Sequence, residues 1–401
     1  MIGLPQTAQN PPAITATARV RRLTPLDAAR GLAMFAVCVS HFGIGIGRRE
    51  PALAANLWLL GMIASPTFIF LSGAILGYLT RLNRDDPGPL RIQLADRGLF
   101  LLTITHLVID GAHYPRFHSW SDAEHALFMT DTIGASLLLG LAVLPRTTAR
   151  VRLQLSGALY LAGWALVLLW HPEQRAAQLF KEVFFGSTNQ YTDVAQNFPL
   201  IPWFSVYLAA TVLGERVAEA SDGGGLERIG WRLLSTGPRW IVAALAVKGV
   251  YLICRPTMWS SYEAMPPVWR DLYDLTTPFD KYPPGPTYLL AYGGLALVLV
   301  GVVIVLSERR LVSRLIEAAA VVGRASLFIF VLQFYLYYLL VPVLPVPHRW
   351  LMIPYFVASI GVLWCAAWGW NSIRGNRFFT LGLTAAVSRR RRVPAPAGLR
   401  V

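Results

Sequence analysis

Arg30 and His41 are the residues of this sequence best suited to chemistry. They lie in the stretch Thr24–Ile46, T-P-L-D-A-A-R-G-L-A-M-F-A-V-C-V-S-H-F-G-I-G-I, which is mostly apolar. A charged side chain at the centre of a membrane helix costs about 2.5–3.5 kcal/mol, so it usually turns to the protein interior and serves a purpose. The two residues are eleven positions apart. At about 100° per residue that is three turns plus roughly 20°, which puts both on one face, about 16.5 Å apart along the axis. One helix thus aims a fixed cation and a titratable base into the same interior. Arg30 suits an anion, and His41 suits general-base work. A purely structural reading has Arg30 snorkelling to headgroups and His41 hydrogen-bonded in the core. That reading accounts for Arg30 and leaves His41 on the same face unexplained.

Other residues extend this pair. R-L-N-R (Arg81 and Arg84) follows the second apolar run, and Arg97 lies just inside the third. With Arg30, these guanidiniums form a candidate binding set for a phosphate-bearing ligand at the cytoplasmic mouth, since the guanidinium fork matches phosphate. For Arg81 and Arg91, ordinary positive loop charge is the better account. The second run holds S-P-T-F-I-F-L-S-G. Its Pro66 and Gly73 break regular backbone bonding, and Ser72–Gly73 would let a ligand or a neighbouring helix approach closely. Asp110 and Asp131 are acids near the far end of their runs, and either is a candidate to orient His41. His106, His113, His118, Asp122, Glu124 and His125 add ligating groups around them, but their spacing matches no closed zinc pattern, so no metal is expected.

The elements that must position these residues are membrane helices. The chain is 55% hydrophobic and only 14% charged, against about a quarter charged in a soluble domain. The expected fold is an all-α, polytopic membrane bundle of about ten helices, at roughly 26–46, 54–79, 94–110, 126–144, 153–170, 198–214, 239–254, 285–306, 318–341 and 351–370. Thr24 is placed to cap the first, with Pro25 at its first position and Asp27 three after the cap. Arginines concentrate in alternate loops: Arg81, Arg84 and Arg91, then Arg146, Arg150 and Arg152, then Arg216, Arg228 and Arg232, then Arg309, Arg310 and Arg314. The net charge of +14 is therefore topological and not a nucleic-acid footprint, and both termini are expected in the cytoplasm. Residues 1–23 read as a disordered cytoplasmic tail, 24–372 as the transmembrane domain and 373–401 as a basic cytoplasmic tail. Met1–Ala18 lacks the apolar core of a signal peptide, so the first span is expected to stay as an anchor. Cys38, Cys254 and Cys365 sit in apolar runs and read as small core residues.

L-D-A-A-R-G-L-A, with histidine eleven positions after the arginine, resembles the opening helix of the transmembrane acyltransferase superfamily. S-P-T-F-I-F-L-S-G, F-P-L-I-P-W (198–203), D-K-Y-P-P (280–284) and G-R-A-S-L-F-I-F-V-L-Q (323–333) resemble bacterial relatives of heparan-alpha-glucosaminide N-acetyltransferase. The likeness runs from about Arg22 to Trp370. The first motif is shared with O-acyltransferases of cell-surface sugars and with succinyl-type modifiers of periplasmic glucans. The resemblance implies an enzyme of the bacterial cytoplasmic membrane that modifies cell-envelope carbohydrate. Its co-substrate would be cytoplasmic acyl-CoA, acetyl-CoA first, and its acceptor a saccharide or glycolipid reached from the other face. The bilayer is the other partner, nucleic acid is not one, and a homodimer is left open. By position, His41 matches the motif histidine and Arg30 the motif arginine. His41 would deprotonate the acceptor or carry the acyl group itself. Two departures stand out: Ser40 replaces the acid or asparagine that often precedes the histidine, and Gln333 stands where a histidine often ends the I-F-V-L-x run. The rival reading is a transporter or flippase of an anionic or sugar-linked lipid, which would also put Arg and His in a membrane cavity. An inverted repeat would favour it, and none is visible.

Overall fold

The computed structural model describes residues 23–47, 50–117, 127–187, 198–222, 224–260, 264–266, 268–270, 272, 281, 283–344 and 349–383. His118, Asp122, Glu124, His125 and most of both tails lie outside the described residues. Among those described, the chain is helical, with no strand. In chain order the helices are α1 (Thr24–Ile46), α2 (Pro51–Gly61), α3 (Ala64–Leu82), α4 (Pro87–Phe100), α5 (His106–Phe117), α6 (Met129–Val143) and α7 (Ala149–Leu169). There follow α8 (Arg175–Phe184), α9 (Leu200–Asp222), α10 (Leu226–Ser260), α11 (Gly294–Glu308), α12 (Ser313–Arg324), α13 (Ser326–Tyr335) and α14 (Met352–Ser372).

The chain is an all-α, polytopic membrane protein. Among the described residues, seven helical segments are long and apolar enough to cross a bilayer: 24–46, 51–82, 87–113, 149–169, 286–308, 326–343 and 352–372. The other three expected spans are helices that do not meet that mark. α6 has only 15 residues, about 22 Å of helix. α9 carries Glu215, Arg216 and Glu219, and α10 carries Arg228, Arg232, Arg239 and Lys248. They nevertheless pack along the spans, α6 on α4, α9 on α3 and α10 on α11. Arg152, expected as loop charge, is instead buried within α7 and paired with Glu215 of α9 at 2.5 Å. Cys38 is buried as expected, whereas Cys365 is exposed on α14 and is no core residue.

The helix ends and breaks follow from the sequence. Leu23, extended, precedes α1, so Thr24 is its first residue and makes no side-chain cap; Asp27 stays in the first turn, where a carboxylate suits the helix dipole. The expected span 54–79 is two helices parted at Met62–Ile63. Pro66 has no N–H for the Met62 carbonyl four residues back. Tyr288, from the D-K-Y-P-P segment's far side, donates its hydroxyl to that carbonyl at 2.8 Å. The Phe198 carbonyl, just ahead of α9, likewise receives a hydroxyl, that of Thr132, at 2.7 Å. In lipid no water can satisfy an open carbonyl, so these hydroxyls pair both carbonyls and lock neighbouring segments in register.

The contact that sets the site is the crossing of α1 and α12. A Cβ on Gly323 would lie 1.7 Å from the Asp27 carbonyl oxygen, and one on Gly31 would lie 1.9 Å from that of Ala319. Only glycine permits this approach, the usual means of helix association where lipid offers no hydrophobic drive. Gly323→Leu is therefore expected to lower the thermal midpoint in detergent, by the ~1–3 kcal/mol typical of overpacking or more. Gly361→Leu on α14, where nothing lies within 4 Å of the added Cβ, should leave the midpoint unchanged. A scanning fluorescence melt of both variants checks this.

Candidate functional site

Ten residues beyond the Gly31–Gly323 crossing, about 15 Å along each helix, α1 and α13 bring His41 against Gln333. His41 Nδ1 lies 2.7 Å from Gln333 Oε1. Gln333 is fully buried, and its Nε2 donates to the Phe330 carbonyl at 3.0 Å. With the amide nitrogen committed there, Oε1 is the acceptor, so His41 donates from Nδ1. In the neutral ring Nε2 then holds the lone pair, as a general base or nucleophile requires. Phe334 and Tyr338 flank the imidazole, with ring centroids 4.7 and 5.5 Å away. Gln333 was read from sequence only as a departure from a histidine. Its role was concealed because its partner is 292 positions away; the available signal was one amide in the run S-L-F-I-F-V-L-Q.

Arg30 and Arg97 line one cleft at the arginine-rich end of the bundle. The cleft, about 220 Å³, is mostly apolar, with hydroxyls from Ser72, Thr130 and Ser326. Phe330, whose carbonyl holds Gln333, is one of the residues that line it. A neighbouring chamber of about 220 Å³ shares Arg30, Arg97 and Ser326 and adds Asp27, Arg324 and Asn376. Two guanidiniums among mostly apolar walls suit an anion that trails a less polar arm. The turn Leu101–Thr105 between α4 and α5 is π-helical, as is Leu336–Leu340 after Gln333; such turns recur at functional sites.

The other expected site residues fall elsewhere. Asp110 and Asp131 do not orient His41. They hold His106 between them, Asp110 on Nε2 at 3.0 Å and Asp131 on Nδ1 at 2.9 Å. A carboxyl oxygen thus faces each ring nitrogen of His106. The same Asp131 oxygen accepts the Phe128 N–H at 2.8 Å and so caps α6. His113 donates Nδ1 to the Ile109 carbonyl at 3.0 Å and packs on the same Phe334 and Tyr338 that flank His41. An aromatic pair thus lies between His41 and His113. Arg81 pairs with Glu219 at 3.4 Å on the surface, and Arg84 is exposed in the turn after α3; neither lines the cleft. Gly73 is a packing residue, since a Cβ there would lie 2.2 Å from the Tyr207 carbonyl oxygen of α9. Ser72 does face the cleft.

Comparison with known families now gives the class. The model for the heparan-alpha-glucosaminide N-acetyltransferase catalytic family matches residues 22–235, and that for the OpgC protein family matches residues 136–374. Each match spans more than half of the 401 residues, so the chain belongs to the membrane acyltransferases of this type. It is a multi-pass membrane transferase of acyl groups. No curated protein matches it. His41 lies within the first matched region and Gln333 within the second, so their hydrogen bond ties the two together.

Gln333→Leu removes the acceptor of the Nδ1 proton while keeping the volume apolar. Acyl-transfer kcat is expected to fall about 100-fold, in line with losing a correctly presented base, with KM for the donor little changed. A steady-state comparison with wild type at several pH values reads this directly.

Proposed function

We propose that this chain moves an acyl group, acetyl in the first instance, from cytoplasmic acyl-CoA to a hydroxyl or amine of a saccharide or glycolipid acceptor reached from the opposite face. Residues 24–372 form the transferase domain in a bacterial cytoplasmic membrane, with residues 1–23 and 373–401 on the cytoplasmic side. The observation that carries the reading is the alignment of one cleft with one base. Arg30 and Arg97 line the cleft together with Phe330, whose carbonyl accepts from Gln333, the residue that holds His41.

The residues fit an acyl-CoA. Paired guanidiniums suit its phosphates, and the apolar throat lined by Phe68, Leu76 and Ile133 suits its pantetheine arm. The co-substrate supplies a thioester carbonyl. Arg30 and Arg97 bind and orient the anionic end, and Ser72 and Ser326 offer hydroxyls beside them. His41 Nε2 takes the proton from the acceptor hydroxyl or amine as its oxygen or nitrogen bonds to the acyl carbon. The carbon–sulfur bond breaks, and His41 returns the proton to the departing thiolate. Gln333 keeps Nδ1 protonated throughout. In a two-step route the same Nε2 would carry the acyl group; acid trapping of labelled protein separates the routes.

With purified protein and radiolabelled acetyl-CoA, His41→Ala is expected to lower turnover 10²–10⁴-fold, the range for a positioned base, while coenzyme A binding is retained. Arg30→Ala should weaken binding itself. Full turnover by a folded His41→Ala protein would exclude His41 from the chemistry.

A further inference from the structure

The chain beyond α14 returns to the cleft. Residues 375–382 lie outside both regions matched by the families, yet they are tied to α4 at adjacent residues. Asp96, almost fully buried, accepts the Thr380 hydroxyl and the Leu381 N–H, the latter at 2.8 Å. Arg97 donates Nη1 to the Phe379 carbonyl at 3.3 Å and lies 4.9 Å from the centroid of the Phe379 ring. That ring also packs on Phe100 and Trp370. On the other side Asn376 donates to the Arg324 carbonyl at 2.6 Å and accepts from Trp370 Nε1 at 3.1 Å. Asn376 lines the same chamber as Arg30 and Arg97. The segment therefore bridges α4 to α12 and α14 beside the chamber that the two arginines share.

The chemistry of Arg97 gives this bridge a use. An arginine on a long side chain loses rotamer freedom when it binds an anion. Here an aromatic ring and a carbonyl hold it before any ligand arrives, with its guanidinium still lining both chambers. We propose that Gly375–Gly382 is a strap that completes the donor site: by holding Arg97 on Phe379, it makes the enzyme select an acyl thioester that carries a nucleotide phosphate over one that lacks it. The inference rests on the acyl-CoA reading above. Phe379 and Asp96 are positioning residues, and the ligand group they serve is phosphate.

The test compares two donors on the full-length protein: acetyl-CoA, and S-acetyl-pantetheine, which has the thioester arm and no phosphate. Phe379→Ala is expected to raise KM for acetyl-CoA about tenfold, the scale of a partly desolvated cation–π contact, with kcat unchanged. KM for S-acetyl-pantetheine should not move, and Phe379→Tyr, which keeps a ring, should restore the wild-type value for acetyl-CoA. Thr380→Val, a near-isosteric loss of one bond to Asp96, should shift KM in the same direction by less, and serves if Phe379→Ala does not fold. Equal rises for both donors, or none for acetyl-CoA, would overturn the strap while leaving the acyl-CoA reading intact. Wild-type protein that transfers from neither donor and binds no coenzyme A would overturn both.

Discussion

Backbone contact between α1 and α12 at Gly31 and Gly323 is the constraint on which the candidate site depends. With no side chain between them, the helices run close enough that, ten residues on, His41 Nδ1 reaches Gln333 Oε1 at 2.7 Å. A larger residue at the crossing would separate imidazole and amide together. The pair matters because a hydrogen bond in an apolar bundle decides which nitrogen carries the proton. The amide is fixed by its own bond to Phe330, so the lone pair is left on Nε2.

The rest of the bundle obeys the same shortage of water. Pro66 deprives the Met62 carbonyl of its helical partner, and Tyr288 supplies a hydroxyl to it; Thr132 supplies one to the Phe198 carbonyl ahead of α9. Arg152 is paired inside the bundle with Glu215, and His106 sits between two carboxylates. Burying a charge without a partner costs several kcal/mol, so each of these pairings also fixes the helices that contribute to it. The arginines that line the cleft differ in that they face a cavity, where a ligand's charge can meet them.

Much of this was legible in sequence, for identifiable reasons. The helical class follows from long apolar runs, and the shared face of Arg30 and His41 follows from helical periodicity alone. Arg97 stood out in sequence by its depth, and Ser72 by the close approach that Ser72–Gly73 allows a ligand or a helix; both line the cleft. Loop charge and ligand-binding charge look alike in sequence, which is why Arg81 and Arg84 were grouped with Arg97 although they lie on the surface. Asp110 and Asp131 were recognised as buried acids, but their partner His106 was not, because carboxylates on separate helices choose partners through tertiary packing. Gln333 and Phe379 act through residues hundreds of positions away, and no local pattern encodes such pairings. The breaks at Met62 and Ala325 turned two expected single spans into helix pairs; Pro66 signalled the first, and no proline marks the second.

The most direct test is a structure of the protein in lipid nanodiscs with coenzyme A bound. The account predicts its phosphates between Arg30 and Arg97 and its thiol at the Phe330 end of the cleft, on the side of His41. Coenzyme A bound elsewhere, out of reach of both arginines, would contradict the claim that cleft and base form one path.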